Sequence, residues 1–342
     1  MNRRAFLGSA ALLASAGAQT APRIRTAFWG TRHSHFGGKL KAVAGNSAFE
    51  IAGVCEPVSE AKSKLTIAGP WLTEEQMLND ASIQLIVVET PPAEGTPFAR
   101  RAIAAGKHVH LEKPPTHEMV PFRDLIEDAR RRNLLVQTGY IWRFHEGIRR
   151  AIEAAKAGWL GHVYMMRGTI HTDLNPQTRA GLAQFRGGMM FELGSHQMDR
   201  VVDLFGRPKS VRSWLHKTPL GAKDGLADNT LAIFEYDSAL AVITTSARMP
   251  GATQHRSFEV IGTEGAILIQ PVEPGTRMRV SMREPRGPYR AGWQDVELPP
   301  QPRYVGDFQD LARAIQTKTP LKYSYDFELL LQETILRASQ EI

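Results

Sequence analysis

The sequence predicts an α/β chain. A doubly wound parallel sheet comes first; beyond about residue 144 follows an α+β domain on a large, open, mostly antiparallel sheet. Three observations predict it. Short β-rich runs alternate with helical patterns between residues 23 and 139, the rhythm of βαβ units. One of those runs, LIVVET at 85–90, is continuously apolar until its last two positions, as in a strand covered on both faces. Beyond residue 161 helices become few, and β-like runs follow one another across short turns.

RIRTAFW (23–29) reads as the first strand, ended by Gly30, with a helix over about 36–45. FEIAGVC (49–55) is the second, stopped by Glu56-Pro57, and LIVVET closes at Pro91-Pro92. PFARRAIAAG (97–106) is helical with Gly106 as its C-cap. KHVHLE (107–112) alternates as a strand does and stops at Pro114; an amphipathic helix (119–133) and a strand (134–139) follow. A helix at 146–157 leads into GHVYMMRGTIH (161–171). β-like runs then occupy 211–217, 230–236, 240–247, 256–262, 266–271 and 277–282. One helix around Met190–Phe205 interrupts this series, and helices at 304–316 and 327–339 close the chain. The expected division is residues 23–143 and 144–342, with the last helices able to pack back on the first domain.

Composition narrows the class. A chain of 342 residues is long enough for two domains with their own cores, and 42% hydrophobic with 23% charged residues is ordinary for a globular protein. The net charge of +7 is mild, and Arg130-Arg131-Arg132 and Arg149-Arg150 fit solvated helix faces. No nucleic-acid module accompanies them, so no nucleic-acid partner is expected. Cys55 stands alone, which excludes an intrachain disulfide and any multi-cysteine metal site. NRRAFLG (2–8), an Ala-rich apolar run and Ala16-Gly17-Ala18 read as a twin-arginine export signal over residues 1–22, too short for a stable membrane span. This predicts a periplasmic or otherwise exported protein that folds before it crosses the membrane.

FWGTRHSHFGG (28–38) sits where a strand–turn–helix unit presents three glycines to a dinucleotide pyrophosphate. Only the first, Gly30, is present; Arg32 and His35 stand at the second and third places. Two explanations compete. The helix N-terminus still binds a dinucleotide with Arg32 or His33 adding donors, or the cradle is spoiled and the His-Ser-His run serves another purpose. Gly37 and Gly38 offer compensation by shifting the turn. Glu56 lies 26 residues after Gly30, at the end of the second strand, where a carboxylate accepts from ribose hydroxyls; this favours NAD over NADP. Lys113, extended before Pro114 at the carboxyl end of a strand, sits where open α/β sheets bind ligands. Desolvated there, it can hydrogen-bond a substrate hydroxyl. Glu192 and His196, four apart, share a face if helical, so the carboxylate can orient the imidazole or bind the same substrate; His196 is a candidate general acid/base. Asp199 either orients His196 or caps local structure. His33 and His35, and likewise His108 and His110, are two apart and fall near the same cleft. Contact with phosphate or substrate is expected of such histidines, and no metal is assigned.

VVETPP (87–92), AGKHVHLEKPP (105–115) and GGMMFELGSHQMD (187–199), in this order and spacing, carry a resemblance. From about residue 23 to the C-terminus the chain resembles the glucose–fructose oxidoreductase / inositol dehydrogenase / rhizopine-catabolism (Gfo/Idh/MocA) family. GYIWRF (139–144) is similar to the family's interdomain segment and RSFEVIGTEGAI (256–267) to its late hairpin. The resemblance implies a Rossmann domain holding NAD, or NADP, through Gly30, Thr31, Arg32, His33, Glu56, Thr90, Pro91, Glu112 and Lys113. It implies that Lys113 and His196, with Glu192, manage the proton while the nicotinamide exchanges hydride with a secondary alcohol of a sugar, cyclitol or glycoside. The family's usual residue at position 192 is aspartate; here it is glutamate. An exported dehydrogenase finds no soluble nicotinamide pool, so it must keep and regenerate its cofactor. Either a second sugar reoxidises it, or oxidation, elimination and reduction cleave a glycoside in a redox-neutral cycle. Tyr140 and His171 are candidate bases for elimination, and Arg143 and Asp199 join them as candidate substrate contacts. The alternatives are a cofactor-free carbohydrate-binding protein on a degenerate dehydrogenase fold and a metal-dependent lyase or hydrolase. A homodimer or homotetramer is expected, because relatives bury the broad face of the second sheet.

Overall fold

The computed structural model describes residues 22–342 apart from 68, 93, 220–223 and 301. The expected export signal, all but its last residue, lies outside the described residues.

The apolar run at 85–88 dictates the first sheet. All four side chains are fully buried, so this strand needs partners at both edges and cover on both faces. It has both. Strands β1 (Ile24–Trp29), β2 (Phe49–Cys55), β3 (Leu85–Val88), β4 (His108–Leu111) and β5 (Val136–Thr138) form a parallel sheet in the order β2-β1-β3-β4-β5. The helices between them are α1 (Phe36–Ala44), α2 (Ser59–Ser63), α3 (Glu74–Asn79), α4 (Gly95–Ala104) and α5 (Met119–Arg131). Met77 of α3, Ala99 and Ile103 of α4 and Phe122 and Ile126 of α5 cover one face, against Ala27, Trp29, Ile86 and Val88. The other face meets α1 and a helix from the far end of the chain. The strand order reverses at β1, so the carboxyl ends of β1 and β3 leave the crevice that binds ligands in such sheets. Arg130, Arg131 and Arg132 sit at the end of α5 as a solvated face, paired with Asp326 and Asp128.

A 3-10 turn at Ile141–Phe144 and helix α6 (Glu146–Lys156) lead out of this sheet into β6 (Val163–His171). Helices α7 (Pro176–Leu182), α8 (Gly188–Glu192) and α9 (Gly194–Phe205) follow. Next come β7 (Ser210–His216), β8 (Asn229–Glu235), β9 (Leu240–Ser246), β10 (Ser257–Gly262), β11 (Gly265–Ile269), β12 (Met278–Met282) and β13 (Gly292–Val296). The second sheet runs β13-β12-β11-β10-β6-β9-β8-β7, antiparallel except where β9 lies parallel to β6. Alternation in β8 and β9 buries Thr230, Ala232, Phe234, Ala241, Ile243 and Thr245 on the inner face. Helices α10 (Val305–Thr317) and α11 (Tyr325–Ala338) end the chain. Phe308 of α10 returns to the first sheet, its ring 5.8 Å from Phe49 and 4.8 Å from His110.

The structure corrects two local readings and adds four elements. The helix around Met190–Phe205 is two helices, α8 and α9, meeting at Leu193. Gly37 and Gly38 do not shift the turn; both lie inside α1. Gly38 instead makes room for Tyr304, whose Cε2 would sit 2.5 Å from a Cβ there. Edge strand β13 and helices α2, α3 and α7 carry too little apolar pattern to be read from sequence.

Arg143, on the 3-10 turn, ties the two halves together. Its Nε donates to Asp199 of α9 at 2.8 Å, and its Nη2 donates to Glu328 of α11 at 2.9 Å. Glu328 also accepts from the Thr138 hydroxyl at the end of β5, at 2.7 Å. All these groups are buried, and removing one member of a buried ion network strands the others. Arg143→Met is expected to lower unfolding free energy by about 3–5 kcal/mol. Urea unfolding checks this, and an unchanged midpoint would contradict the linking role.

Candidate active site

The carboxyl ends of β1, β3 and β4 face the second sheet across a cleft of about 690 Å³. Arg32, His33, His35, Pro91 and Lys113 line it from the first domain; Glu192, His196, Arg256 and Glu273 line it from the second.

The turn after β1 is built on Gly30, at φ +87°. A Cβ there would meet Thr90 Cγ2 at 2.8 Å and the Glu89 carbonyl oxygen at 3.0 Å, so the turn can pass the end of β3 only as glycine. Thr31 donates to Glu56 Oε2 from its amide (2.7 Å) and its hydroxyl (2.8 Å), and Val58 N–H donates to Oε1 (2.9 Å). The Glu56 carboxylate is thus fixed beside the turn; Oε2 already accepts two donors, and Oε1, with one, retains capacity for a further donor. Arg32 turns aside to Glu94, with Nη1 3.1 Å from Oε1, and does not point along the turn. His35 turns inward, its Nδ1 2.9 Å from Glu112 Oε1. The side chains at the second and third glycine places leave the cleft open. These residues fit a dinucleotide: a glycine-only turn, a carboxylate ending β2, and helix α1 starting at Phe36 with no acidic side chain in its first turn.

Beneath the turn lies a buried charge cluster that sequence reasoning missed. Lys39 of α1 donates to Glu89 Oε1 at 2.7 Å and also to Glu112. Gly139 permits this, since a Cβ there would lie 3.2 Å from Lys39 Nζ and 3.1 Å from His110 Cε1. Burial opposes the Lys39 charge, but Glu112 and Glu89 outweigh it and raise the pKa. Burial likewise favours neutral carboxyls. For Glu112 the charges of His33, Lys39 and His35 prevail and hold it well below the usual range; for Glu89 burial prevails and pushes it up. One carboxylate therefore carries the charge beside the ammonium. The signal in the sequence was a glutamate directly after an apolar strand, at VVETP.

Lys113 is 1% exposed and points across to α8. Its Nζ donates to Glu192 Oε1 at 2.6 Å and to the Glu192 carbonyl at 3.0 Å. Burial would raise the Glu192 carboxyl, but the charge and hydrogen bond of Lys113 outweigh it and lower the pKa. Glu192 thus serves Lys113, and the break at Leu193 means that it does not share a helix with His196. His196 stacks on Trp142 (centroids 5.6 Å, 31°) and meets the edge of Tyr140 at 6.1 Å. Its Nδ1 is buried with no partner among the described residues, which leaves Nε2 as the ring nitrogen with access to the cleft. Burial first, then the charges of Lys113 and His35, hold its pKa well below the ordinary value, so the imidazole is neutral.

The remaining sequence candidates lie elsewhere. Asp199 neither orients His196 nor caps a helix; it accepts from Arg143 and, at 2.7 Å, from Arg200. Tyr140 is buried, its hydroxyl without a described partner; burial, with Asp199 and Glu328 adding, holds its pKa well above the usual value. His171 ends β6 and offers its carbonyl to Arg256. Tyr140, Arg143, His171 and Asp199 are not among the residues lining the cleft. His108 Nδ1 accepts from Leu135 N–H at 2.9 Å, and His110 lies under Phe308 with both ring nitrogens buried and without a partner among the described residues. Donor atoms of His33, His35 and Glu112 do lie within 4.8 Å of one another. The Lys39 ammonium on that same Glu112 oxygen argues against a cation there.

Comparison with known proteins agrees with this layout. Residues 24–140 match the oxidoreductase family with an NAD-binding Rossmann fold, and residues 148–268 match the GFO/IDH/MocA C-terminal domain. An uncharacterized oxidoreductase of Schizosaccharomyces pombe is 27% identical over 92% of this chain and 95% of its own length. The myo-inositol 2-dehydrogenase of Thermotoga maritima is 24% identical over 75% of this chain and 77% of its own. Among solved structures, GenD2 from gentamicin A biosynthesis, in complex with NAD, superposes with a TM-score of 0.76 at 22% identity, covering 96% of this chain and 97% of that one.

Burial, more than any neighbouring charge, lowers the His33 pKa to about 4 from its ordinary 6.5. Between those values the unfolded chain binds a proton that the folded chain refuses. Stability present above pH 6.5 is therefore lost as pH falls toward 4. An imidazole NMR titration should place His33 near 4, and His33→Gln should flatten the acid side of the stability profile. A midpoint at 6.5 or above would contradict the buried placement.

Proposed function

This chain belongs to the GFO/IDH/MocA family of oxidoreductases and is an NAD(P)-dependent enzyme; we propose that it oxidises or reduces a secondary alcohol on a sugar, cyclitol or glycoside. One observation carries the proposal. A buried ammonium, Lys113, and a neutral imidazole, His196, line one cleft at the carboxyl ends of the parallel strands. A nicotinamide bound there supplies the hydride chemistry. Lys113 donates a hydrogen bond to the substrate oxygen and stabilises charge developing on it. His196 takes or returns the hydroxyl proton through Nε2. Glu192 pairs with Lys113 and aims it. Gly30, Thr31 and Glu56 receive the adenosine half, with Thr90 and Pro91 at the end of β3. The inositol dehydrogenases among the relatives support a polyol substrate.

Export belongs to the same reading. The paired arginines and Ala-rich run in residues 2–18 support a twin-arginine route. An enzyme exported folded retains its cofactor and works in a redox-neutral cycle, glycoside cleavage included. The division at 23–143 and 144–342 is kept for the two domains. Self-association is proposed through the outer face of the second sheet, where Met165, Trp214, Leu231, Ile233, Leu240 and Val242 are exposed or half-buried.

Lys113→Ala should cut turnover at least ~100-fold, with the circular dichroism spectrum unchanged. Reduction of the bound cofactor on mixing with excess myo-inositol or other polyols, followed at 340 nm in a single turnover, measures it; wild-type rates in the variant would sink the assignment. Protein purified without dialysis and then denatured should release NAD(H) detectable by mass spectrometry. NADH should bind about tenfold or more tightly than NADPH, and Glu56→Ser should narrow the gap, because a 2′-phosphate would face the Glu56 carboxylate.

A further inference from the structure

The cleft carries more positive than negative charge, and the excess is localised. Arg32, Lys113, Arg256 and Arg303 line it together with Glu192 and Glu273. Three of the cations have carboxylate partners: Arg32 pairs with Glu94, Lys113 with Glu192 at 2.6 Å, and Arg303 Nε with Glu273 at 3.2 Å. Arg256 has none within 4.0 Å among the described residues. Its backbone is pinned: its carbonyl accepts from Val272 N–H at 3.0 Å, and its N–H donates to the Thr253 carbonyl at 3.3 Å. Its Nε donates to the His171 carbonyl at 3.1 Å, which aims the guanidinium. The Nη1 and Nη2 edge has no acceptor among the described residues. Burial pushes the Arg256 pKa down; Glu273 and Glu192 oppose this and Arg303 adds to it, as expected of a cation short of counter-charge. The same residue, with Glu273 and Arg303, lines a neighbouring cavity of about 570 Å³, so it stands where a substrate extends beyond the reacting carbon.

We infer that Arg256 receives an anionic group of the substrate, so that the enzyme acts on an acidic sugar or cyclitol derivative rather than a neutral polyol. This rests on the proposed action on a sugar or cyclitol alcohol. The planar guanidinium fork matches the two oxygens of a carboxylate or phosphate. A neutral polyol would leave a partly desolvated cation without its acceptor.

The test uses the full protein saturated with NADH and calorimetric titration of matched pairs: glucuronate against glucose, galacturonate against galactose, and glucose 6-phosphate against glucose. The acidic member of at least one pair should bind about tenfold or more tightly. Arg256→Gln should bring that ratio to about one, and Arg256→Lys should restore part of it; thermal unfolding verifies that both variants fold. A uronate preference assigns a carboxylate, a sugar-phosphate preference a phosphate, and either supports the inference. No preference for the acidic member in any pair, including binding of neither, overturns it, as does a preference that survives Arg256→Gln. Loss of NADH affinity in Arg256→Gln would place the guanidinium on the cofactor and also overturn it. Failure of wild-type protein to bind NADH would instead strike the proposed function itself.

Discussion

A single buried ammonium, that of Lys39, organises the catalytic end of this protein. It draws together α1, β3 and β4 by holding Glu89 and Glu112 around one positive charge. Three ionisable groups in a dry site are tolerable only if their charges cancel and their hydrogen bonds are made. The Glu112 oxygen that takes Lys39 also engages His35, and His33 packs edge-on against His35 with centroids 4.5 Å apart. The turn after β1 is anchored from below by these contacts and from the side by Thr31 on Glu56. That is how a dinucleotide turn survives with arginine and histidine at two glycine places. Their side chains leave the path of the backbone, one to Glu94 and one to Glu112.

Lys113 and His196 share the cleft but not the same surroundings. Lys113 has Glu192 at 2.6 Å; His196 has aromatic rings instead, is buried and feels Lys113 as a like charge, so its imidazole is neutral. The glutamate at position 192 reaches Lys113 directly, so the longer side chain keeps the ion pair.

Much of this was legible in the chain. The strand at 49–55 was bounded to the residue because Glu56-Pro57 stops it, and the carboxyl-end placement of Lys113 followed from its strand and Pro114. Other features were hidden for physical reasons. The break at Leu193 leaves no trace because the apolar spacing continues through MFELGSHQM, and Gly194 alone is tolerated in a helix. Asp199 looked like a helper of His196, yet its partner, Arg143, lies 56 residues away. Arg256 belonged to a β-rich run, and its open guanidinium edge depends on where Glu273 and Arg303 come to rest. Long-range ion pairing has no local signature; periodicity and turn chemistry do.

The return of α10 to the first sheet has a consequence for how the chain matures. Phe49 on β2 and His110 on β4 are roofed by Phe308, which is synthesised 170 residues after Thr138 ends the last strand of that sheet. Strand β6 likewise waits for β9 and β10 before either of its edges is paired. A nascent chain can therefore lay down the parallel strands early but cannot seal them. Part of the wall of the N-terminal half is supplied by α10. A ribosome-bound or truncated chain without α10 would hold this face of the sheet under α1 alone, with Phe49 and His110 unroofed.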